Sequence, residues 1–244
     1  MMHDSIVKTA LVTGASSGIG AAIARRLAGE GHNVILTARR QDRLEDLARE
    51  LGDSALPIPT DVTDPDACAG LVERAIEYFG TLDVLVNNAG VGLYDPIAEA
   101  DPADWRRMFD VNVLGVLHVT QAAVRHMIAR RTGHVVFVSS VAGRRVPHPH
   151  GAVYAATKHA ITAISEGLRL DMDGQGVRVT NVEPGLVRTE FPTSSYTDAD
   201  EYYAQKDYAP LEAEDVATAV AYAVGLPPSV SINEILLRPS KQPN

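Results

Sequence analysis

The sequence predicts an α/β domain built on a doubly wound parallel sheet. Short apolar runs of strand length, rich in Val, Ile and Thr, alternate along the 244 residues with segments of helical spacing. The runs are continuously hydrophobic, which is typical of parallel strands covered by helices on both faces. Such alternation calls for βαβ units. Because no linker or repeat interrupts it, we expect one domain over residues 1–244.

Six apolar runs are strong strand candidates and a seventh is weaker. The strong runs are 9–13, 33–38, 82–87, 134–139, 177–182 and 232–237. The weaker run, 54–61, carries two prolines and therefore suits a short or edge strand. Helical spacing marks the segments 20–31, 42–52, 66–80, 104–131, 152–172 and 214–225.

One long irregular stretch covers residues 186–212. A connection of this length inside a compact α/β domain is either a functional lid or a disordered insert. Phe191 and four tyrosines give it contact surface, which favours a substrate lid. The tyrosines are Tyr196, Tyr202, Tyr203 and Tyr208.

Composition narrows the class of protein. A net charge of −9 argues against a nucleic-acid partner, because such binding depends on clustered Lys and Arg. The only cysteine, Cys68, excludes an intramolecular disulfide and a thiolate metal site, as suits a cytoplasmic protein. No run approaches the roughly twenty apolar residues of a membrane helix, and the first residues do not resemble a signal peptide. We therefore expect a cytoplasmic protein with no membrane partner.

A glycine-rich turn follows the first predicted strand in "TALVTGASSGIGAAIA". Gly14 permits the tight turn, Gly18 lets backbone N–H groups approach a pyrophosphate, and Gly20 lets the helix pack closely on the strand. The start of the following helix adds unsatisfied donors and a partial positive charge. A simple strand-to-helix turn is the alternative, but this position between strand and helix favours a dinucleotide.

The stretch "LTARRQDRL" selects between two dinucleotides. A dinucleotide-binding fold usually places an acid here to accept from the ribose 2′-hydroxyl of NAD, but this chain has Arg39 and Arg40. Guanidinium groups instead favour a 2′-phosphate, which indicates NADP (NADPH). One of the pair could stack on adenine. A solvated helix start is the alternative interpretation, and it fits Arg43 better.

Tyr154 and Lys158 form a candidate proton-transfer pair. They are four residues apart on a predicted helix and hence on one face. An ammonium near a phenol lowers the phenol pKa, so the pair could exchange a proton with an alcohol or carbonyl oxygen. Ser140, at the end of the strand just upstream, could polarise that oxygen; Ser139 is the alternative, although a capping role suits it better.

Several motifs in this order resemble the short-chain dehydrogenase/reductase family. They are "TGASSGIG", "DV" at 61–62, "NNAG" at 87–90, Asn112, "SSVAG", "YAATK" and "PGLVRT" at 184–189. The resemblance covers nearly the whole chain. It implies a single-domain Rossmann fold with a seven-stranded sheet, and hydride transfer between a nicotinamide and a secondary alcohol or carbonyl compound.

The resemblance also implies the catalytic roles. Tyr154 is the expected acid/base, Ser140 holds the reacting oxygen, and Lys158 lowers the tyrosine pKa and binds the nicotinamide ribose. Asn112 is expected to position a water that links Lys158 to solvent. Ser140 and Tyr154 are fourteen residues apart, one more than is usual in the family, and the extra residue falls in "RRVPHPHG" at the pocket rim.

A larger set of residues is implied to bind the cofactor. Asp61 and Val62 are expected to bracket the adenine, and residues 88–90 to line the ribose floor, although turn chemistry explains part of "NNAG". Residues 184–189 are expected to contact the nicotinamide amide and the phosphates. The full set is Gly14, Ser16, Ser17, Gly18, Ile19, Gly20, Arg39, Arg40, Asp61, Val62, Asn88, Ala89, Gly90, Tyr154, Lys158, Pro184, Gly185, Val187 and Thr189.

The substrate is less defined. "GHNVILTARRQDRL" and "INEILLRPSKQ" resemble the NADP-dependent group that includes 3-hydroxy acid (serine-type) dehydrogenases and clavulanic acid dehydrogenase, which suggests small polar hydroxy or oxo compounds. Arg144, Arg145 or Arg188 could pair with a substrate carboxylate, or each could be a solvated loop residue. His148 and His150 suit substrate contact or solvation better than metal ligation, and we expect no metal.

Two rival functions and the assembly follow from the same resemblance. A catalytically silent NADP-sensing binding protein could keep the fold without the chemistry, but all four catalytic positions are filled here. An isomerase or dehydratase would usually need a larger C-terminal substrate domain. Members are usually tetramers or dimers, and the segments 101–131 and 151–173 carry apolar surface for a homo-oligomer, with a tetramer favoured.

Overall fold

The architecture is a parallel sheet covered by helices on both faces. It was obtained as a computed structural model that describes residues 7–191, 203 and 206–243. Within these residues the sheet has seven strands in the order β3-β2-β1-β4-β5-β6-β7. The strands are β1 Thr9–Thr13, β2 Asn33–Thr37, β3 Ala55–Pro57, β4 Val84–Asn87, β5 Gly133–Val138, β6 Val177–Pro184 and β7 Glu234–Leu237. The predicted fold class, an α/β Rossmann-type sheet, is confirmed.

The helices occupy the predicted segments with one interruption. They are α1 Gly18–Gly29, α2 Gln41–Leu51, α3 Pro65–Phe79, α4 Pro102–Phe109, α5 Val116–Arg130, α6 Ala152–Asp171 and α7 Ala213–Gly225. The predicted helical segment 104–131 is helical from Pro102 to Arg130, with a π-helical turn at Asp110–Gly115 between α4 and α5. Such turns are frequent at functional sites.

Two helix starts are set by short-range chemistry. The side chain of Asp64 accepts hydrogen bonds from Asp66 N and Ala67 N, and Pro65 occupies the first turn of α3. Asp101 and Pro102 begin α4 in the same way. An acidic cap followed by proline satisfies donors that the helix itself leaves unpaired and presets the first helical φ angle.

The core lies on both faces of the sheet. Ala10 and Val12 of β1 pack in one cluster with α1 and α7, whereas Leu11 packs in a second cluster with α3 and α5. Successive strand residues point to opposite faces, and both faces are buried. This arrangement is why the strand runs are continuously apolar. The proline-bearing run shortens to β3 at the sheet edge, as expected.

The strand order creates the crevice that positions the site. From β1 the chain builds outward through β2 and β3, and it then returns to place β4 on the other side of β1. Ligands of open α/β sheets bind outside the carboxyl ends of the strands at this reversal. The carboxyl ends of β1, β4, β5 and β6 carry the glycine turn, "NNAG", "SSVAG" and "PGLVRT".

Part of the predicted lid lies outside the described residues. These are 192–202 and 204–205, and they include Tyr196 and Tyr202. In the part that the structure describes, Val187 pairs with Leu211 in a short parallel bridge. The hydroxyl of Tyr203 accepts from Thr189 N at 3.1 Å and donates to Val187 O at 2.9 Å. None of the described helices has the length and apolar character needed to span a bilayer.

Candidate active site

The glycine turn is held in a conformation that larger residues would not adopt. Gly14 and Gly18 have φ angles of +69° and +52°, in the region that favours glycine. A Cβ added to Gly20 would lie 2.3 Å from Gly14 O, so α1 packs directly on the strand end. The predicted role of Gly20 in close packing is therefore confirmed.

The "NNAG" segment is fastened to the end of β1. The Thr13 hydroxyl accepts hydrogen bonds from Asn88 N and Ala89 N, both at 2.9 Å. Asn88 Nδ2 donates to Thr13 O at 2.9 Å. These bonds place residues 88–90 as a floor beside the glycine turn, because the two strands that carry them are neighbours in the sheet.

Arg40 reaches from the start of α2 to the glycine turn. Its guanidinium donates to the hydroxyls of Ser16 at 2.9 Å and Ser17 at 2.7 Å. Glu190 accepts from Arg43 at 2.5 Å and lies 3.5 Å from Arg40. Arg43 is thus paired and not merely solvated. The arginine and the two serines together form a polar, cationic patch next to the position expected for the adenosine ribose.

Arg39 and Asp61 define the other side of the same region. Hydrogen bonds from the Thr63 backbone hold the pKa of Asp61 below its usual value, and the nearby Arg39 charge adds to this effect. Asp61 is consequently an anion held by its own turn. Val62, the next residue, is buried against Gly115 of the π-helical turn.

Ser140 and Tyr154 meet beside the end of β6. Ser140 Oγ accepts from Ala142 N at 3.1 Å and donates to Pro184 O at 3.5 Å, and it lies near enough to the Tyr154 phenol to affect its pKa. Burial raises the pKa of Tyr154 to about 12, and the Ser140 contact only partly opposes it. The expected lowering of this pKa by Lys158 does not occur in the protein alone, where burial sets the direction of the shift and Lys158 is not among its causes. Tyr154 therefore holds its proton at neutral pH.

Lys158 is a buried cation one helical turn beyond Tyr154. Its ammonium donates to Val138 O at 3.0 Å and lies 5.8 Å from the centre of the Tyr154 ring. Burial lowers the pKa of Lys158 to about 8. The tyrosine and the lysine share one helix face, as their spacing predicts, and both face the carboxyl end of the sheet.

Asn112 uses its amide to hold the chain beyond "NNAG". Its Oδ1 accepts from Val91 N at 2.8 Å, and its Nδ2 donates to Val91 O at 2.8 Å and to Thr157 Oγ1 at 3.1 Å. Thr157 in turn donates to Tyr154 O at 2.7 Å. Asn112 thus connects the segment after β4, the π-helical turn and the start of α6. Its expected role toward Lys158 stays a prediction.

Aromatic rings surround the Tyr154 phenol. The Tyr94 ring lies 5.3 Å from the Tyr154 ring and 5.0 Å from His148, and Phe191 lies 5.9 Å from Tyr154. Sequence reasoning missed Tyr94, although its place shortly after "NNAG" was an available signal. His148 does lie at the rim, as expected. Among the described residues no group of three His, Cys, Asp or Glu could hold a metal ion.

Two of the three arginines considered for a substrate carboxylate, Arg144 and Arg188, have other partners. Arg144 donates to Glu183 and to Glu234, each at 2.5 Å. Arg188 stacks on Tyr203, with its guanidinium carbon 5.0 Å from the ring centre, and lies 3.4 Å from Glu212. Arg144 therefore does not suit the substrate role. Sequence reasoning also missed Glu183; an acid directly after the apolar run 177–182 was its signal.

Comparison with known proteins decides the family. The model of the short chain dehydrogenase family matches residues 8–200. The chain belongs to the short-chain dehydrogenase/reductase family. It is therefore an oxidoreductase. Ser140, Tyr154 and Lys158 lie together at the carboxyl end of the sheet, and Asn112 is linked to the same helix, α6, through Thr157.

Three proteins resemble this dehydrogenase/reductase over nearly its whole length. An uncharacterized oxidoreductase of Staphylococcus epidermidis is 39% identical over 95% of this chain and 97% of its own. A glycine betaine reductase of Emericella nidulans is 45% identical over 97% of this chain, which spans only 19% of that protein. A closed form of serine dehydrogenase complexed with NADP+ has a TM-score of 0.86 and 38% identity, covering 94% of each chain.

The names of these relatives bear on the rival functions. All three are named as oxidoreductases, dehydrogenases or reductases, and the solved structure holds NADP+. The comparisons give no support to a catalytically silent binding protein.

Proposed function

We propose that this short-chain dehydrogenase/reductase is an NADP(H)-dependent enzyme that interconverts a secondary alcohol and its carbonyl compound. The observation that carries the proposal is the buried Tyr154 phenol, which lies beside the Ser140 hydroxyl and has the buried Lys158 ammonium 5.8 Å from its ring centre. A protonated phenol and a hydroxyl side by side can both donate to one substrate oxygen.

The chain's residues fit a nicotinamide dinucleotide. Gly14, Gly18 and Gly20 form a cradle that side chains would fill, next to the N-terminus of α1, which suits a pyrophosphate. Arg40, with Ser16 and Ser17, would take a 2′-phosphate through charge-assisted hydrogen bonds. The solved serine dehydrogenase with NADP+ supports this choice of nucleotide. The bound nicotinamide would supply or accept the hydride.

The mechanism follows from the proton positions in this chain. In reduction, Ser140 and Tyr154 donate hydrogen bonds to the carbonyl oxygen, and the Tyr154 proton moves to that oxygen as negative charge develops there. In oxidation, the phenolate accepts the proton of the alcohol. The Lys158 ammonium stabilises the phenolate electrostatically, and low dielectric around the buried pair strengthens this attraction.

For the substrate we propose a small polar hydroxy acid or ketone. Serine dehydrogenase and glycine betaine reductase are named after small zwitterions that carry a cationic nitrogen and a carboxylate. The Tyr94 and Phe191 rings beside Tyr154 suit a cationic nitrogen, because aromatic faces attract cations. A panel should therefore pair simple ketones with hydroxy acids that bear an amino or a quaternary ammonium group.

The test measures NADPH absorbance with each compound of this panel: it falls when NADPH reduces a ketone and rises when a hydroxy compound reduces NADP+. Tyr154→Phe should lower kcat by about a hundredfold or more, because general acid catalysis contributes a factor of that order. Tyr78→Phe is the matched control, since Tyr78 is exposed on α3 and should leave kcat unchanged. Undiminished turnover by Tyr154→Phe would overturn the mechanism. Tight NADPH binding without turnover of any compound would favour the silent binding protein.

We further propose a cytoplasmic homo-oligomer, with a tetramer favoured over a dimer. Apolar Phe109 of α4, Leu114 of the π-helical turn and Leu117 of α5 are exposed, as is Leu170 of α6, on the segments expected to pair. Light scattering at several concentrations tests this. A mass of four times 26.1 kDa supports the tetramer, and a mass of one chain at all concentrations excludes assembly.

A further inference from the structure

A charged cluster joins the active-site turn to the last two strands. Arg144 directly follows the helical turn Val141–Gly143, whose first cap is Ser140. Its guanidinium donates through Nε to Glu183 of β6 and through Nη2 to Glu234 of β7, each at 2.5 Å. One side chain thus bridges three separate segments of the chain.

Glu183 is unusual because it is fully buried in the sheet. Its carboxylate accepts from Arg144 and from Asn181 Nδ2, at 3.0 Å, and Thr162 of α6 lies nearby and donates to Lys158 O. Burial raises the pKa of Glu183; Arg144 opposes this rise, and Glu234 adds to it. A buried carboxylate is costly unless it is paired, and apolar residues would stabilise such a site at least as well. Stability alone therefore does not explain why Glu183 and Arg144 are paired here.

Arg144 and Glu183 lie on the two segments that Ser140 contacts, the turn and the end of β6. Ser140 Oγ contacts Ala142 N of the turn at 3.1 Å and Pro184 O of β6 at 3.5 Å. Pro184 directly follows Glu183, and Arg144 N donates to Val141 O at 3.1 Å. Ser140 thus spans the gap between the turn and the end of β6. The contact between Arg144 and Glu183 crosses the same gap and holds its width.

The other side chains of the turn, Val141 and Ala142, are buried, and Ala142 lies in the apolar cluster of Tyr154 and Ala155 on the α6 side. A Cβ added to Gly143 would lie 2.6 Å from Thr162 Oγ1 and 2.9 Å from Ser139 Oγ. The turn therefore presses its bare backbone against α6. On the opposite side, the Arg144 side chain directly after the turn makes the charged contacts that join the turn to β6 and β7.

We propose that Arg144 is a positioning residue, which bridges Glu183 and Glu234 so that the turn carrying Ser140 stays seated against the end of β6. The inference rests on the proposed function in that Ser140 is taken to hold the substrate oxygen. Arg144 itself touches neither substrate nor cofactor in this proposal. It acts through the geometry of Ser140 and Tyr154.

The experiment compares three variants with wild type. Arg144→Met removes the bridge but leaves Glu183 charged and buried. Arg144→Met with Glu183→Gln removes the bridge and the charge, and Arg144→Lys keeps a cation that can reach one carboxylate. Arg25→Met is the matched control, because Arg25 pairs with Glu50 in an exposed ion pair on α1 and α2, away from the turn.

The expected stabilities separate charge compensation from positioning. Four side chains surround the Glu183 carboxylate. They are Arg144 beside the turn, Glu234 on β7, Thr162 on α6 and Asn181 on the same strand as Glu183. Without Arg144 its folded pKa rises further above the unfolded value. The Tm of Arg144→Met should therefore fall as the pH rises from about 5 to about 8, more steeply than that of wild type. Adding Glu183→Gln should remove this extra slope.

The expected kinetics carry the positioning role. The double variant should keep kcat at least about tenfold below wild type with the KM for NADPH changed less than about twofold, because only the reacting geometry is loosened. Arg144→Lys should recover part of the lost kcat. A double variant that regains wild-type kcat together with its Tm would overturn the proposal, since Arg144 would then only neutralise Glu183.

Amide hydrogen exchange gives a readout independent of turnover. Residues 141–145 should exchange faster in the double variant than in wild type at a pH where their melting temperatures agree. Unchanged exchange in this turn overturns the proposal even if no substrate is found. Failure of wild type to turn over any compound, with faster exchange in the variant, would instead count against the proposed function alone.

Discussion

Replacing Arg40 with alanine tests the choice of nucleotide most directly. Arg40 donates to Ser16 and Ser17 at 2.9 and 2.7 Å, so its guanidinium already lies beside the glycine turn. A 2′-phosphate bound there would gain a charge-assisted hydrogen bond from it. NADH has no such phosphate and would gain none.

The size of the effect follows from the charge and its exposure. A hydrogen bond to a charged group contributes about 1.5–3 kcal/mol. The Arg40 side chain is 45% exposed, so solvent screening favours the lower end of this range. We expect Arg40→Ala to weaken NADPH binding about tenfold, which corresponds to about 1.4 kcal/mol, and NADH binding less than about twofold.

The assay is a titration of both reduced cofactors by fluorescence, followed by their KM values once a substrate is known. Adding Arg39→Asp should widen the effect, because a carboxylate repels a 2′-phosphate but accepts from a 2′-hydroxyl. Arg49→Ala is the control, since Arg49 lies on the same helix and pairs with Asp46 at the surface. An equal loss for NADPH and NADH in Arg40→Ala would refute the assignment of this patch to the 2′-phosphate.

Two further predictions concern the glycine turn and the buried lysine. Gly20→Ala should lower the free energy of unfolding by about 1–3 kcal/mol and weaken cofactor binding, because the added Cβ would meet Gly14 O. Gly29→Ala, which has open space around the added Cβ, should instead stabilise the protein by about 0.5–1 kcal/mol. Chemical denaturation measures both free energies, and equal effects of the two substitutions would contradict the close packing at Gly20. Since burial lowers the pKa of Lys158 to about 8, the unfolded chain binds more protons above that pH. The stability of the cofactor-free protein relative to Lys158→Met should therefore rise from about pH 8 to about pH 10.5, and a flat difference in Tm would contradict the lowered pKa.

Local physics explains why much of the fold was predictable. A parallel strand buried on both faces must be apolar at every position, so β1, β2, β4 and β5 are visible as runs. Glycines at positive φ and at a close contact mark the turn before α1, because other residues are excluded there. The Tyr154–Lys158 pair was visible because one helix face brings these residues together.

Other features of the site depend on segments that are distant in sequence. The pKa of Tyr154 is raised because Tyr94, Phe191 and the surrounding core remove water from the ring, and no spacing within α6 encodes that burial. The π-helical turn at Asp110–Gly115 turns Asn112 toward Val91, a residue of another segment.

Arg144 shows the same division most clearly. From the sequence it is one loop arginine among several near the catalytic motif, and a substrate carboxylate was a reasonable partner. Its partners, Glu183 and Glu234, lie on β6 and β7, and only the sheet order brings these strands beneath the turn. The sequence by itself thus determined the strands, the glycine turn and the catalytic helix face, since each depends on neighbouring residues. The tertiary structure decided burial, charge pairing and proton affinity, because each depends on which distant segments meet.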